Sequence, residues 1–92
     1  MKSRTKNLGV DLSISPTRVK LAYIKAELIR AVLRIVKKEK LTHQELAKRS
    51  KLSRSTVTGI LSGSLQKVTL DRLIRLVEAV GLEADIRIKK AA

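Results

Sequence analysis

A mainly α fold, a bundle of four to five helices followed by a C-terminal β-strand, is what three features of the 92-residue sequence predict. Apolar residues recur at helical spacing over most of the chain. A Ser or Thr precedes each of these runs, where its hydroxyl can accept a backbone N–H left free at a helix start. Tyr23 is the one aromatic, so the core has to be built from Leu, Ile, Val and Ala packed between helices. A chain of this length folds as one domain, since half of it would bury too little surface.

Residues 1–13 (MKSRTKNLGVDLS) carry only Leu8, Val10 and Leu12 as spaced apolar points and read as a flexible arm. Residues 14–92 form the domain. Ser15-Pro16 opens its first helix, with a cap followed by the imino acid whose missing N–H costs nothing at the first helical position. This helix runs to about Lys38. Leu21, Ala22, Leu28, Ile29, Val32, Ile35 and Val36 recur at helical spacing, broadened by Ile24, Ala31 and Leu33, while Tyr23, Glu27, Arg30, Arg34 and Lys37 share the other face. The apolar stripe covers roughly half the circumference, more than the ~100° with which a surface helix covers its own core.

Thr42-His43-Gln44-Glu45 has the spacing of a capping box, in which the hydroxyl and the carboxylate each accept one free backbone donor. The second helix starts there, turns Leu46 and Ala47 inward and ends near Ser50. Ser53 caps a third, whose buried side is Val57, Ile60 and Leu61 and whose stop is Gly63. Beyond a polar loop over 64–68, Thr69 caps a fourth helix. Asp71 lies near its positive end, Leu70, Leu73, Ile74, Val77 and Val80 lie inside, and Gly81 closes it. The period then changes to two: Leu82, Ala84, Ile86 and Ile88 alternate with Glu83, Asp85, Arg87 and Lys89, the pattern of a half-buried strand. The chain supplies this strand with no partner. A second copy of the chain is therefore expected to pair with it, bringing Ala84, Ile86 and Ile88 of both copies onto one covered face.

Twenty-one Lys and Arg against 8 Asp and Glu leave a formal charge of +13, which attracts polyanions: nucleic acid first, anionic membrane second. No run of about eighteen apolar residues is present, and residues 1–7 lead into no signal-type apolar core. The polar face of the first helix bears Tyr23 and Glu27, and its apolar residues are those a bundle core needs. A cytoplasmic protein without membrane association is expected. With no cysteine and a single histidine, His43, disulfides and thiolate zinc sites are excluded, and neither metal nor cofactor is expected. Ser53 or Ser55 with His43 would lack a third group to orient the base, so no enzymatic activity is expected either.

The chemistry concentrates in LTHQELAKRSKLSRSTVTGILSG, residues 41–63, with its motif over 42–63. Two short helices are joined by a few residues. Ala47 is small where they approach most closely, and Leu46, Leu52, Val57 and Ile60 lock their angle, leaving the second helix to protrude. Between Glu45 and Asp71 no acidic residue occurs, while Lys48, Arg49, Lys51, Arg54 and Lys67 do, so this surface does not repel phosphates. On the protruding helix the face opposite Val57, Ile60 and Leu61 holds Arg54, Ser55, Thr58 and Ser62, with Thr56 and Gly59 beside it. Short side chains let such a helix sit deep in a major groove, where an arginine reaches guanine. Arg54, Ser55, Thr56 and Thr58 are accordingly the candidate base contacts. Lys48, Lys51, Ser53, Ser62 and Lys67 are the candidate phosphate contacts.

This segment resembles the Cro/cI (xenobiotic response element) family of helix-turn-helix proteins. The resemblance implies a lambda-repressor-like bundle that binds double-stranded operator DNA as a repressor, and it adds His43 to the candidate phosphate contacts. Two positions depart from the family pattern. Lys51 stands where a glycine in the left-handed conformation is usual, at a cost of about 1 kcal/mol, and Ser50 replaces a commonly apolar residue. Over most of the chain, the long first helix, the block ILSGSLQKVTLDRLIRLVEAVGLEADIRI and the closing strand resemble the HigA-like antitoxins and their orphan relatives. That likeness implies a homodimer, a HigB-like ribonuclease toxin as partner, and repression of the operon encoding both. The alternatives are an interaction module that mainly neutralises such a toxin, and a stand-alone or phage-type regulator.

Overall fold

Hydroxyls start all four helices in the computed structural model, which describes residues 15–91. They are α1 (Pro16–Glu39), α2 (His43–Ser50), α3 (Arg54–Leu61) and α4 (Leu70–Ala79). Ser15, Thr42, Ser53 and Thr69 accept the backbone N–H groups of Arg18, Glu45, Thr56 and Arg72 at 3.0–3.3 Å. The capping box is complete: Glu45 Oε1 accepts from both the Thr42 N–H (3.0 Å) and the Thr42 hydroxyl (3.1 Å). The arm expected over 1–13 lies outside the described residues.

Each helix is followed by a residue in the left-handed region: Lys40 (φ 54°), Lys51 (φ 61°), Gly63 (φ 98°) and Gly81 (φ 86°). At α4 the Leu82 N–H reaches back to the Val77 carbonyl and the Gly81 N–H to that of Glu78, both at 3.0 Å, which satisfies two carbonyls the helix end leaves free. Glycine does this without strain. Lysine does not, and at Lys51 the expected left-handed turn is present with the strain it implies. Lys51→Gly is therefore expected to raise stability by up to about 1 kcal/mol, reduced by the extra freedom glycine gains in the unfolded chain. Urea unfolding monitored by helical circular dichroism measures it; a loss of stability would mean the lysine side chain contributes more than its backbone costs.

Ile29 and Val32 of α1, Leu46 of α2, Val57 and Ile60 of α3, and Leu73, Leu76, Val77 and Val80 around α4 form the core. α1 packs chiefly on α4, and α2 packs on both α3 and α4. Two members of the core lie outside the set expected from the sequence. Leu76 is fully buried and completes the i, i+3, i+4, i+7 row Leu73, Leu76, Val77, Val80. Val68, placed by sequence in a polar loop, is buried as well, and with the half-buried Leu65 it turns that loop back onto the bundle.

The stripe on α1 is indeed wider than the core covers. Ile29 and Val32 are buried, Leu28, Ile35 and Val36 are partly covered, and Val19, Ile24 and Leu33 remain exposed along with Tyr23. Among the described residues no strand is formed: residues 82–91 leave α4 without helical or ladder hydrogen bonds. Leu82 and Ala84 nevertheless rest on the core.

Candidate nucleic-acid interface

Ser50, the polar residue in the turn, is buried and fully used. Its hydroxyl donates to the Leu46 carbonyl one turn back (2.6 Å) and accepts from the Leu52 N–H (3.4 Å). A buried hydroxyl with both partners carries little desolvation penalty, and here it closes α2 against the segment leading into α3. With Leu46 and Val57 fully buried between them, α2 and α3 form a fixed pair, and the start of α3 is left facing solvent.

Arg54 is the first residue of α3. It is exposed, and among the described residues it forms no ion pair or hydrogen bond with another side chain. Around it lies a group of hydroxyls. Ser53 Oγ donates to Thr56 Oγ1 at 2.7 Å, accepts from the Thr56 N–H at 3.1 Å and lies 3.2 Å from Ser55 Oγ. Ser53 is thus occupied as a cap and orients Thr56, while Ser55 remains at the surface. One turn on, the exposed Thr58 meets His43, the first residue of α2: Thr58 Oγ1 and His43 Nδ1 share a hydrogen bond of 2.9 Å whose donor is set by the imidazole tautomer. A candidate phosphate contact and a candidate base contact are therefore held together across the two helices.

The other candidates are placed less centrally. Lys48 is exposed on α2 and Lys67 on the loop after α3. Lys51 lines a shallow groove with Arg49, Arg75 and Glu78 beside the end of α4. Ser62 turns its hydroxyl back onto the Gly59 carbonyl at 2.8 Å, as a helix-end residue does. Ala84 is half-buried, and Ile86 and Ile88 are exposed.

Glu45 is the one acidic residue within 42–63, and the same contacts that cap α2 fix its charge. Donation from the Thr42 backbone N–H, then from the Thr42 hydroxyl, and the nearby Arg49 cation hold its carboxyl below the ordinary carboxylate value, against a smaller opposing effect of desolvation. A carboxyl depressed in the folded state contributes stability that is present above its unfolded pKa and lost as the pH falls through the folded one. Acid titration of stability should accordingly show a loss below the ordinary carboxylate range that is shallower in Glu45→Gln; identical curves would remove the capping box from the acid response.

Two residues have supporting roles that the sequence does not signal, one of them Arg49 of the basic window. Arg49 Nη1 donates to the Ala79 carbonyl at 3.3 Å, placing a cation at the C-terminus of α4 and tying α2 to it. Lys25 is the more unusual. Buried in α1, its ammonium donates to the Leu65 carbonyl at 3.2 Å and to that of Gln66 at 3.5 Å. These bonds fix the loop that follows α3 and bears Lys67. Lys25→Met should retain the helices and weaken local protection of the 64–68 amides by about 1 kcal/mol, the charge-assisted bonds being partly offset by relief of burying the charge. Hydrogen exchange resolves this, and unchanged exchange at Val68 would show that the loop is held by other contacts.

No helix among the described residues is long and apolar enough to cross a membrane, and none of their His, Asp and Glu side chains gather in groups of three or more that could hold a metal ion. Residues 8–89 match the family model described as a helix-turn-helix domain. Comparison with curated proteins and with solved structures gives no match.

Proposed function

The chain belongs to the helix-turn-helix domain family of DNA-binding proteins, and from that premise we propose that it is a homodimeric, sequence-specific repressor that reads operator DNA with α3. The observation that carries this reading is the exposed Arg54 at the head of α3, without an ion pair among the described residues and surrounded by short hydroxyl side chains in a window without acidic residues between Glu45 and Asp71. Arginine contacts guanine bidentately, Ser55, Thr56 and Thr58 allow close approach, and His43, Lys48 and Lys67 contribute phosphate contacts that set the register. No step of this function calls for a catalytic group, a metal or a cofactor.

The biological setting we propose is that of a HigA-like antitoxin in the cytoplasm, which binds a ribonuclease toxin and represses the operon encoding both. The Cro/cI pattern in residues 41–63 supports the repressor role, and the apolar side chains Val19, Ile24 and Leu33, exposed on α1, support a protein partner in addition to DNA. The dimer follows from the alternating segment Leu82–Lys89. Two copies paired there present two α3 helices to successive major grooves, about 34 Å apart. Selection from random-sequence duplexes tests this. The full chain should enrich a palindrome with half-sites about one helical turn apart, and a chain ending at Gly81 should be monomeric and enrich no palindrome. Absence of any enriched sequence would contradict the repressor reading.

A further inference from the structure

The segment after α4 has a charge order that matters only in a pair. Its apolar positions begin on the core with Leu82 and Ala84 and continue into Ile86 and Ile88, which are 78% and 92% exposed. Its charged positions are acidic first, Glu83 and Asp85, then basic, Arg87 and Lys89. An acidic half followed by a basic half is self-complementary for a copy running antiparallel and for no parallel one.

Residues directly opposite each other in an antiparallel pair share a face, so apolar positions must oppose apolar positions and charges must oppose charges. Few two-fold registers meet that condition. Centred on Asp85, the pair sets Asp85 against the partner's Asp85; centred on Arg87, it sets Arg87 against the partner's Arg87. Centring on Ala84 opposes Glu83 to the partner's Asp85, and centring on Ile88 opposes Arg87 to the partner's Lys89. One register is free of like charges: centred on Ile86, it places Asp85 opposite the partner's Arg87, Glu83 opposite the partner's Lys89, and Ala84 opposite the partner's Ile88.

We propose that two copies of this chain pair antiparallel through Glu83–Lys89 with Ile86 on the two-fold axis, and that the four symmetry-related charge pairs, Glu83 with the partner's Lys89 and Asp85 with the partner's Arg87, set this register. The inference rests on the dimer reading above and gives it a partner specificity: the strand accepts its own charge pattern and rejects that of a chain with a different order. The apolar face supplies the association, because exposed charge pairs contribute little affinity each and discriminate mainly through the cost of like charges set opposite. Each Ile88, now almost wholly in water, is carried to Ala84 at the edge of the other copy's core.

Charge exchange tests it on the full chain. Glu83→Lys with Asp85→Arg makes all four charges basic, and Arg87→Glu with Lys89→Glu makes them all acidic. By sedimentation equilibrium the unaltered chain should be a dimer, each double variant alone should dimerise at least about tenfold more weakly, and an equimolar mixture should form the heterodimer with an affinity near that of the unaltered chain. A bulk charge effect has a different signature: it would weaken the basic variant and strengthen the acidic one, since the chain begins at +13, and that result would overturn the register. So would double variants that both dimerise like the unaltered chain. If the unaltered chain is itself monomeric, the dimer reading falls and the register with it.

Discussion

Leu46→Ala is expected to destabilise the protein by about 2–5 kcal/mol, the range for truncating a leucine in a packed core. Leu46 is fully buried on α2, and its neighbours in the core include Val57 and Ile60 of α3 and Leu73, Leu76 and Val77 of α4. It therefore sits where α2 meets both helices it packs against. The cavity cannot easily close, because the caps at Thr42 and Ser53 and the Ser50 bonds fix where α2 ends and α3 begins. In a domain of this size, whose whole stability is on the order of 5–10 kcal/mol, the loss reaches a large part of the total. Thermal and urea unfolding measure it. A change under about 1 kcal/mol would mean that the two helices are held chiefly by their polar turn and not by the core.

The features legible in the sequence were those decided within a few residues. A hydroxyl cap needs only the N–H groups of the next turn, so Ser15, Thr42, Ser53 and Thr69 mark all four helix starts, and Gly63 and Gly81 mark two of the ends. The left-handed conformation at Lys51 was legible only through the family resemblance, and at Lys40 not at all, since lysine has no intrinsic preference for it. Leu76 could have been found from its spacing with Leu73 and Val80. Long-range polar contacts could not: Lys25 and the carbonyls of Leu65 and Gln66 are 40 and 41 residues apart, and a lysine on a helix reads as a solvated one until the loop above it is in place. The same holds at the interface. Arg54 and its hydroxyl neighbours lie within one helix turn and were legible, whereas the His43–Thr58 hydrogen bond depends on the angle between α2 and α3. The alternating segment Leu82–Lys89 shows its pattern in sequence, but a strand exists only with a partner beside it.

Arg54→Ala is expected to weaken binding to the selected operator by about 1–3 kcal/mol and to leave affinity for random duplex nearly unchanged, as for an arginine reading a base edge. Its exposure at the first position of α3 and its freedom from ion pairs among the described residues mean that removal should cost the fold little. The loss should concentrate at one base pair per half-site and relax the preference for guanine there. Equal losses on operator and random duplex would make Arg54 a phosphate anchor. Read beside Leu46→Ala, which lowers stability, the variant separates recognition from folding.

The function proposed for α3 is to read sequence in DNA. Its most direct measurement is the affinity of the full chain for the selected palindrome and for a scrambled duplex of the same length and composition, titrated at the same near-physiological salt concentration. A preference of at least about a thousandfold for the palindrome is expected, within the range of specific over non-specific binding for such proteins. Equal affinities that fall together as salt rises would contradict it, and would leave the +13 charge as the whole of the interaction.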